Sequence, residues 1–280
     1  MSLPETLDVA VVQATTPATG ADGWAHLLPL LQQAADTGAQ LIVTPEGSNF
    51  LQNNRSLRKA EAVPEAEDLV VREARAFAKD RGVWVLLGSV IVALLEDPDG
   101  RSANRALLIA PTGEVVARYD KLHVFDATLP NGERYRESEN VRPGTRAVVA
   151  RTPFGGLGLS ICYDVRFASL YRRMAMAGAR LIAVPAAFTV PTGEAHWSVL
   201  LRTRAIETGC FVLAAAQGGH HADGRRTWGH SLIIDPWGRI LAEASDDQPA
   251  VLSATLRLAA VDEARQALPQ LWHDRMYDGP

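Results

Sequence analysis

The sequence predicts an α/β fold of four layers, helix–sheet–sheet–helix, built as one domain over residues 1–280. Three observations predict it. Apolar runs of strand length alternate with helical repeats in both halves of the chain. Gly38-Ala39-Gln40-Leu41-Ile42-Val43-Thr44-Pro45 is echoed by Gly178-Ala179-Arg180-Leu181-Ile182-Ala183-Val184-Pro185, at an offset of half the 280-residue chain. No composition shift or Pro/Gly-rich linker separates the halves. Two similar units, each a sheet with helices outside, then pack sheet on sheet.

In order, Leu7 to Ala14 is a valine-rich strand. Asp22 to Thr37 carries Trp24, Leu27, Leu28, Leu31, Ala34 and Ala35 at helical spacing, and Gly38 closes the helix. Leu41 to Val43 is a short buried strand. Glu65 to Asp80 is a second helix, with Pro64 at its start, Gly82 past its end, and Ala66, Leu69, Val70, Phe77 and Ala78 inward. Val83 to Leu94, Asn104 to Ala110 and Glu114 to Tyr119 are strands, the last two joined by the turn Pro111-Thr112-Gly113. Residues 123–144 lack periodicity and form a long loop, a length that in a compact domain is usually functional or disordered. The second half repeats the plan. It has a strand over Leu157 to Ile161, a helix over Phe167 to Ala177 and a strand over Leu181 to Val184. A helix over Glu194 to Thr208, a strand over Phe211 to Ala216 and a hairpin of Ser231 to Asp235 with Arg239 to Ala244 follow.

Composition narrows the function. A 47% hydrophobic chain of this length can bury a large core, and a net charge of −4 gives no electrostatic case for nucleic acid or an anionic membrane. Apolar runs stop short of the roughly 18–20 residues a membrane span needs, and the N-terminus lacks a signal-peptide pattern. Two cysteines make no disulfide framework, which fits a reducing, cytoplasmic setting.

Three strands end in polar residues, where sites are commonly built. Glu46 lies in Thr44-Pro45-Glu46-Gly47, Lys121 in Tyr119-Asp120-Lys121-Leu122-His123, and Cys162 in Cys162-Tyr163-Asp164. Each alone has a plain reading: a core cysteine, a capping or solvated carboxylate, a surface lysine. Together, on neighbouring strands, they make a reactive set. A nearby cation favours a thiolate and stabilises the oxyanion of a tetrahedral intermediate. A carboxylate beside both can serve as general base for the thiol and as acid for a leaving amine.

These residues, in TPEG (44–47), YDKLHVFD (119–126) and GLSICYDVRF (158–167), resemble the nitrilase superfamily of carbon–nitrogen hydrolases. The resemblance runs from Val9 to about Tyr277. It implies a four-layer αββα sandwich and homodimers that extend it. Glu46 is then the general acid/base, Lys121 the oxyanion cation and Cys162 the nucleophile of a thioester mechanism needing no metal or organic cofactor. The backbone N–H of Tyr163 joins Lys121 at the oxyanion, and Glu137 is a second glutamate that positions Lys121 or the substrate. The stretches 193–197, 201–208, 214–217, 229–231 and 235–238 are similar to the deaminated glutathione amidase branch; its sister branch, the ω-amidases, acts on 2-oxoglutaramate. The expected partner is thus a small-molecule amide of a 2-oxo acid. Arg166 either binds the substrate carboxylate or pairs with Asp164. Phe188 and Thr192 resemble the substrate-lining part of the pocket, although Phe188 also reads as core.

Other readings carry less. A nitrilase or carbamoylase would share the triad, a non-enzymatic scaffold would be expected to lose part of it, and no histidine is marked as the partner of a papain-like cysteine. Gly155-Gly156-Leu157-Gly158 lacks the third glycine of a dinucleotide fingerprint. His220-His221 lacks a third metal ligand at suitable spacing. Cys210 and Trp197 read as packing residues, and Asp223-Gly224-Arg225-Arg226 as an exposed turn.

Overall fold

The two echoed strands lie near the centres of two six-stranded sheets in a computed structural model that describes residues 3–275 and 278–279. Tyr277, where the resemblance ends, lies outside the described residues. Strands and helices are numbered along the whole chain. The first sheet contains β1 (Thr6–Gln13), β2 (Leu41–Val43), β3 (Trp84–Ala93), β4 (Ser102–Ile109), β5 (Val115–Asp120) and β16 (Ala250–Arg257), in the order β16-β1-β2-β3-β4-β5. The second contains β8 (Val148–Thr152), β9 (Gly155–Leu159), β10 (Ala179–Ala183), β11 (Phe211–Ala214), β14 (Leu232–Ile234) and β15 (Ile240–Glu243), in the order β15-β14-β11-β10-β9-β8. Each sheet has a parallel central trio, β1-β2-β3 or β9-β10-β11, joined to an antiparallel strand on either side. Two short ribbons, β6–β7 (Asp126–Thr128, Arg134–Arg136) and β12–β13 (Gly218–His220, Arg226–Trp228), lie outside the sheets.

Helices α1 (Gly20–Asp36) and α3 (Leu69–Arg81) cover the outer face of the first sheet. There Leu27, Leu31, Val70, Ala74 and Phe77 meet Ala10, Val12, Ile42, Val85 and Leu87. The alternate residues Val9, Val11, Leu41, Val43 and Leu86 turn the other way, into a core shared with the second sheet. α4 (Ala168–Met176) and α5 (Val190–Thr208) cover that sheet's far side, completing the four layers. α2 (Arg55–Glu61) and α6 (Ala260–Ala267) are short additions. None of the described helices is long and apolar enough to cross a membrane.

Differences from the sequence expectation have local causes. α1 begins at Gly20 because the Thr19 side chain accepts from the Asp22 N–H, and α3 begins at Leu69 because Asp68 accepts from the Val71 N–H. α5 starts four residues early because Pro191 suits a first helical turn. Gly38 and Gly178 both take positive φ (85° and 94°), so the echoed segments enter their strands through the same left-handed turn. The halves touch above the site: a Cβ on Gly88 would lie 1.8 Å from Thr44 O and 2.4 Å from Pro185 Cβ, so only glycine fits there.

Candidate active site

Glu46, Lys121 and Cys162 follow β2, β5 and β9. β5 is antiparallel to β4, itself antiparallel to β3, so it runs in the direction of β2 and its C-terminal end lies at the same edge. Lys121 Nζ donates to Glu46 Oε1 (2.8 Å) and to both Glu137 oxygens (3.0 and 2.9 Å). Glu46 also accepts from Asn104 Nδ2 (2.8 Å) and from the Ala187 N–H (2.9 Å). Glu137 also accepts from the Phe125 N–H at 2.6 Å. Lys121 is only 2% exposed and Glu46 6%, so these hydrogen bonds stand in for the water both charges have lost.

Cys162 begins a 3-10 turn with φ 50°, a left-handed conformation unusual for a side-chain-bearing residue. Its N–H donates to Pro185 O at 2.7 Å. Asp164 fixes the turn, accepting from the Ile161 N–H (2.8 Å), Tyr119 OH (2.6 Å) and the His123 N–H (3.0 Å). The chain is therefore held in a strained bend of about 1–3 kcal/mol. The thiol lies beside the Glu46 carboxylate and the Ala187 N–H.

The charges settle the resting state. Burial favours a protonated Glu46, but the Lys121 ammonium and the hydrogen bonds from Lys121, Cys162 and Asn104 hold its carboxyl below the ordinary value. Burial opposes charge on Lys121, and Glu137 and Glu46 outweigh it, raising the ammonium well above the usual range. For Cys162, burial and the Glu46 charge prevail over Lys121 and push the thiol up. The expectation that lysine would favour a resting thiolate is thus corrected: two carboxylates already occupy Lys121, and the cysteine rests as a neutral thiol beside an ionised base.

A cavity of about 320 Å³ opens above these groups, with Glu46, Lys121, Glu137 and Cys162 in its wall. Arginines at 58, 134, 136, 225 and 226 outnumber the wall's carboxylates at 46, 137 and 139. A narrow cleft of about 20 Å³ adjoins it, sharing Cys162, Phe125, Ala187 and Thr189, and holds Tyr163, Arg166, Phe188 and Thr192. The eight candidate residues thus line either the cavity or the cleft, and Cys162 lines both. Asp164 is engaged elsewhere and does not pair with Arg166. The Arg166 guanidinium instead lies over the Phe188 and Tyr163 rings (5.3 and 5.8 Å) and reaches His196 Nδ1 at 3.3 Å. Phe188 is both core and lining, packed on Trp197 at 4.8 Å. Thr192 Oγ1 shares a 2.8 Å hydrogen bond with Thr189.

Three residues escaped the sequence reading. Asn104 stands near the N-terminal end of antiparallel β4, the opposite end of a strand from the one that Glu46, Lys121 and Cys162 follow. Arg58 rides on α2, whose helix carries no buried residue to betray it. Arg225 belongs to the turn expected to be exposed; Asp223 binds Arg225 Nε (2.9 Å) and accepts from the Asn53 N–H (2.9 Å), which folds the turn over the cavity. Cys210 and Trp197 are buried as expected, and His221 hydrogen-bonds Thr227 Oγ1 at 2.7 Å.

The chain resembles known proteins over nearly its whole length. The Carbon-nitrogen hydrolase family model matches residues 8–266. A protein of Yersinia enterocolitica named deaminated glutathione amidase is 39% identical over 269 residues, 96% of this chain and 93% of its own. The C. elegans NitFhit protein superposes with a TM-score of 0.89 at 35% identity; the match covers 98% of this chain and 66% of that longer one. An amidase from Nesterenkonia sp. AN1 has a TM-score of 0.76 at 27% identity, covering 97% of this chain and 99% of that one. In that structure the acetamide moiety of fluoroacetamide is covalently added at the active-site cysteine. The chain belongs to the carbon–nitrogen hydrolase family of the nitrilase superfamily.

Proposed function

We propose that the protein hydrolyses the amide bond of deaminated glutathione, or of a closely related 2-oxo acid amide, through a thioester on Cys162. One observation carries the reaction: a buried Glu46–Lys121 ion pair, joined by Glu137, stands beside a strained cysteine that opens on a cavity. The relative in Yersinia supports the choice of substrate.

Cys162 Sγ attacks the amide carbon as its proton passes to Glu46, so the low-lying carboxylate and the raised thiol exchange a proton only as the C–S bond forms. Negative charge builds on the carbonyl oxygen, facing Lys121 and the Tyr163 N–H. One such preorganised donor is typically worth about 3–4 kcal/mol in the transition state. Glu46 then protonates the nitrogen as the C–N bond breaks and the amine leaves. A water gives its proton to Glu46, attacks the thioester and releases the acid, while the proton returns to sulfur. Glu137 and Asn104 hold Lys121 and Glu46 in place throughout. Arg166, with Phe188 and Thr192, receives the carboxylate end of the acyl part.

Incubation with deaminated glutathione should yield 2-oxoglutarate and cysteinylglycine. No cleavage of that compound, with turnover of a nitrile or a carbamoyl amine instead, would overturn the substrate. The pH profile tests the base. Glu46 must be ionised and its carboxyl is held low, so kcat/KM should stay level from neutral pH to below 4.5 in protein that circular dichroism shows to be folded. An acid limb near neutral pH would point to another base.

The whole of 1–280 is read as one carbon–nitrogen hydrolase domain that pairs with a second copy. Val199 and Ile206, seven apart on α5 and thus on one face, are exposed, and Ile206 lines a shallow pocket with exposed Trp237, apolar surface that a second copy would cover. Sedimentation equilibrium should return twice the chain mass; a monomer at micromolar concentration contradicts the pairing.

A further inference from the structure

Arg58 is the least satisfied charge around the cavity. α2 is fixed at its start by Asn54, whose side chain accepts from the Ser56 and Leu57 N–H groups (3.0 and 3.2 Å). From that helix Arg58 reaches inward. Its Nε and Nη2 are buried and, among the described residues, have no hydrogen-bond acceptor. No carboxylate among the described residues lies within ion-pair distance of it; Glu137 and Glu46 attract it only at longer range, and both are held by Lys121. Burial, together with the neighbouring Arg225 charge, lowers its pKa. Arg225 is already paired: Asp223 accepts from its Nε (2.9 Å) and lies 2.7 Å from its Nη2. Arg58 thus faces the cavity as a desolvated charge with two donors unspent, an arrangement that costs several kcal/mol unless an anion joins it, and Arg225 adds positive charge at the same wall. A planar carboxylate matches such donors.

The catalytic geometry says which part of a substrate reaches them. Glu46, which protonates the departing nitrogen, lines the large cavity and not the cleft. An amine protonated by Glu46 is released into the cavity that Arg58 and Arg225 line, and the cleft beside Arg166, at about 20 Å³, has room only for the tip of the acyl part. We propose that Arg58 and Arg225 form a subsite for the leaving amine, and that this amine carries a carboxylate. The substrate is then an N-substituted amide with an acidic group at each end, and release of free ammonia is the lesser activity. This inference rests on the proposed amidase function and deepens it.

The test uses two amides that share a 2-oxoglutaryl acyl group. One has cysteinylglycine as its amine and the other has cysteinylglycine amide, which lacks the terminal charge. Wild-type enzyme should prefer the acid by ~10- to 100-fold in kcat/KM, chiefly through KM, as expected for charge-assisted hydrogen bonds. Arg58→Ala should bring the preference close to parity, and Arg225→Gln should reduce it. No preference in the wild type, or a preference that survives both substitutions, overturns the subsite. If Arg58→Ala melts early, Arg58→Gln reads the same discrimination. Hydrolysis of 2-oxoglutaramate separates the two claims: turnover of it without discrimination sinks the subsite alone. Turnover of none of the three amides sinks the proposed function. Calorimetric binding of the acid and neutral amides to Cys162→Ala then judges the subsite independently, with equal affinity counting against it.

Discussion

Cys162→Ala is expected to lower kcat on deaminated glutathione by at least ~10⁴-fold, because removal of a catalytic nucleophile leaves only binding and oxyanion contacts. The fold should survive. Cys162 is buried but contributes only one sulfur atom to its surroundings, and the turn is held by Asp164 and by the Cys162 N–H to Pro185 O bond, both independent of the thiol. The loss of stability should stay near ~1 kcal/mol. Activity within tenfold of wild type in the folded variant would remove Cys162 from the mechanism.

Lys121→Met should have the next largest effect, and on two observables. It removes the cation facing the oxyanion, worth ~10²–10³ in kcat if it acts as one preorganised donor. It also leaves the buried Glu46 and the partly buried Glu137 without the ammonium they share, and breaking the buried Glu46–Lys121 pair in this way costs about 3–5 kcal/mol. The pH dependence should reverse. In the wild type the Glu46 carboxyl is depressed, so its contribution is present above the unfolded value and is lost as pH falls through the folded one. Without Lys121, burial is no longer offset by the ammonium and the neighbouring Glu137 charge adds to it, so the Glu46 carboxyl rises. The variant should then recover stability as pH falls from 7 towards 5, narrowing its melting-temperature deficit. A deficit that is constant across this range would show that Lys121 does not hold the two carboxylates together.

Sequence made the central strands legible because buried parallel strands read as unbroken apolar runs, and the echo of 38–45 in 178–185 marked their repetition. It made Glu46 and Cys162 legible because each closely follows such a strand, and Lys121 because it directly follows the edge strand β5. It did not show β8 or β16. These are outer antiparallel strands with half-buried faces, and β16 alternates exposed with partly covered residues instead of forming an apolar run. Residues 123–144 read as one loop, yet the β6–β7 ribbon within them delivers Glu137 to Lys121. Arg58 and Arg225 were hidden for a related reason. A surface-like helix and a Gly-containing turn are ordinary in sequence, and the long-range bond from Asn53 to Asp223 that links the start of one to the other has no sequence signal. The thiol's protonation could not be read from residue types, because it depends on how completely Glu46 and Glu137 take up the lysine's charge.

The central claim is that Cys162 carries the acyl group between two proton transfers made by Glu46. Rapid quenching of wild-type enzyme with deaminated glutathione, followed by intact-mass and peptide analysis, tests it most directly. One acyl group should appear on the peptide containing Cys162, form no more slowly than cysteinylglycine is released, and be absent from Cys162→Ala. Steady product formation with no adduct at any quench time, or an adduct on a different residue, would contradict the account.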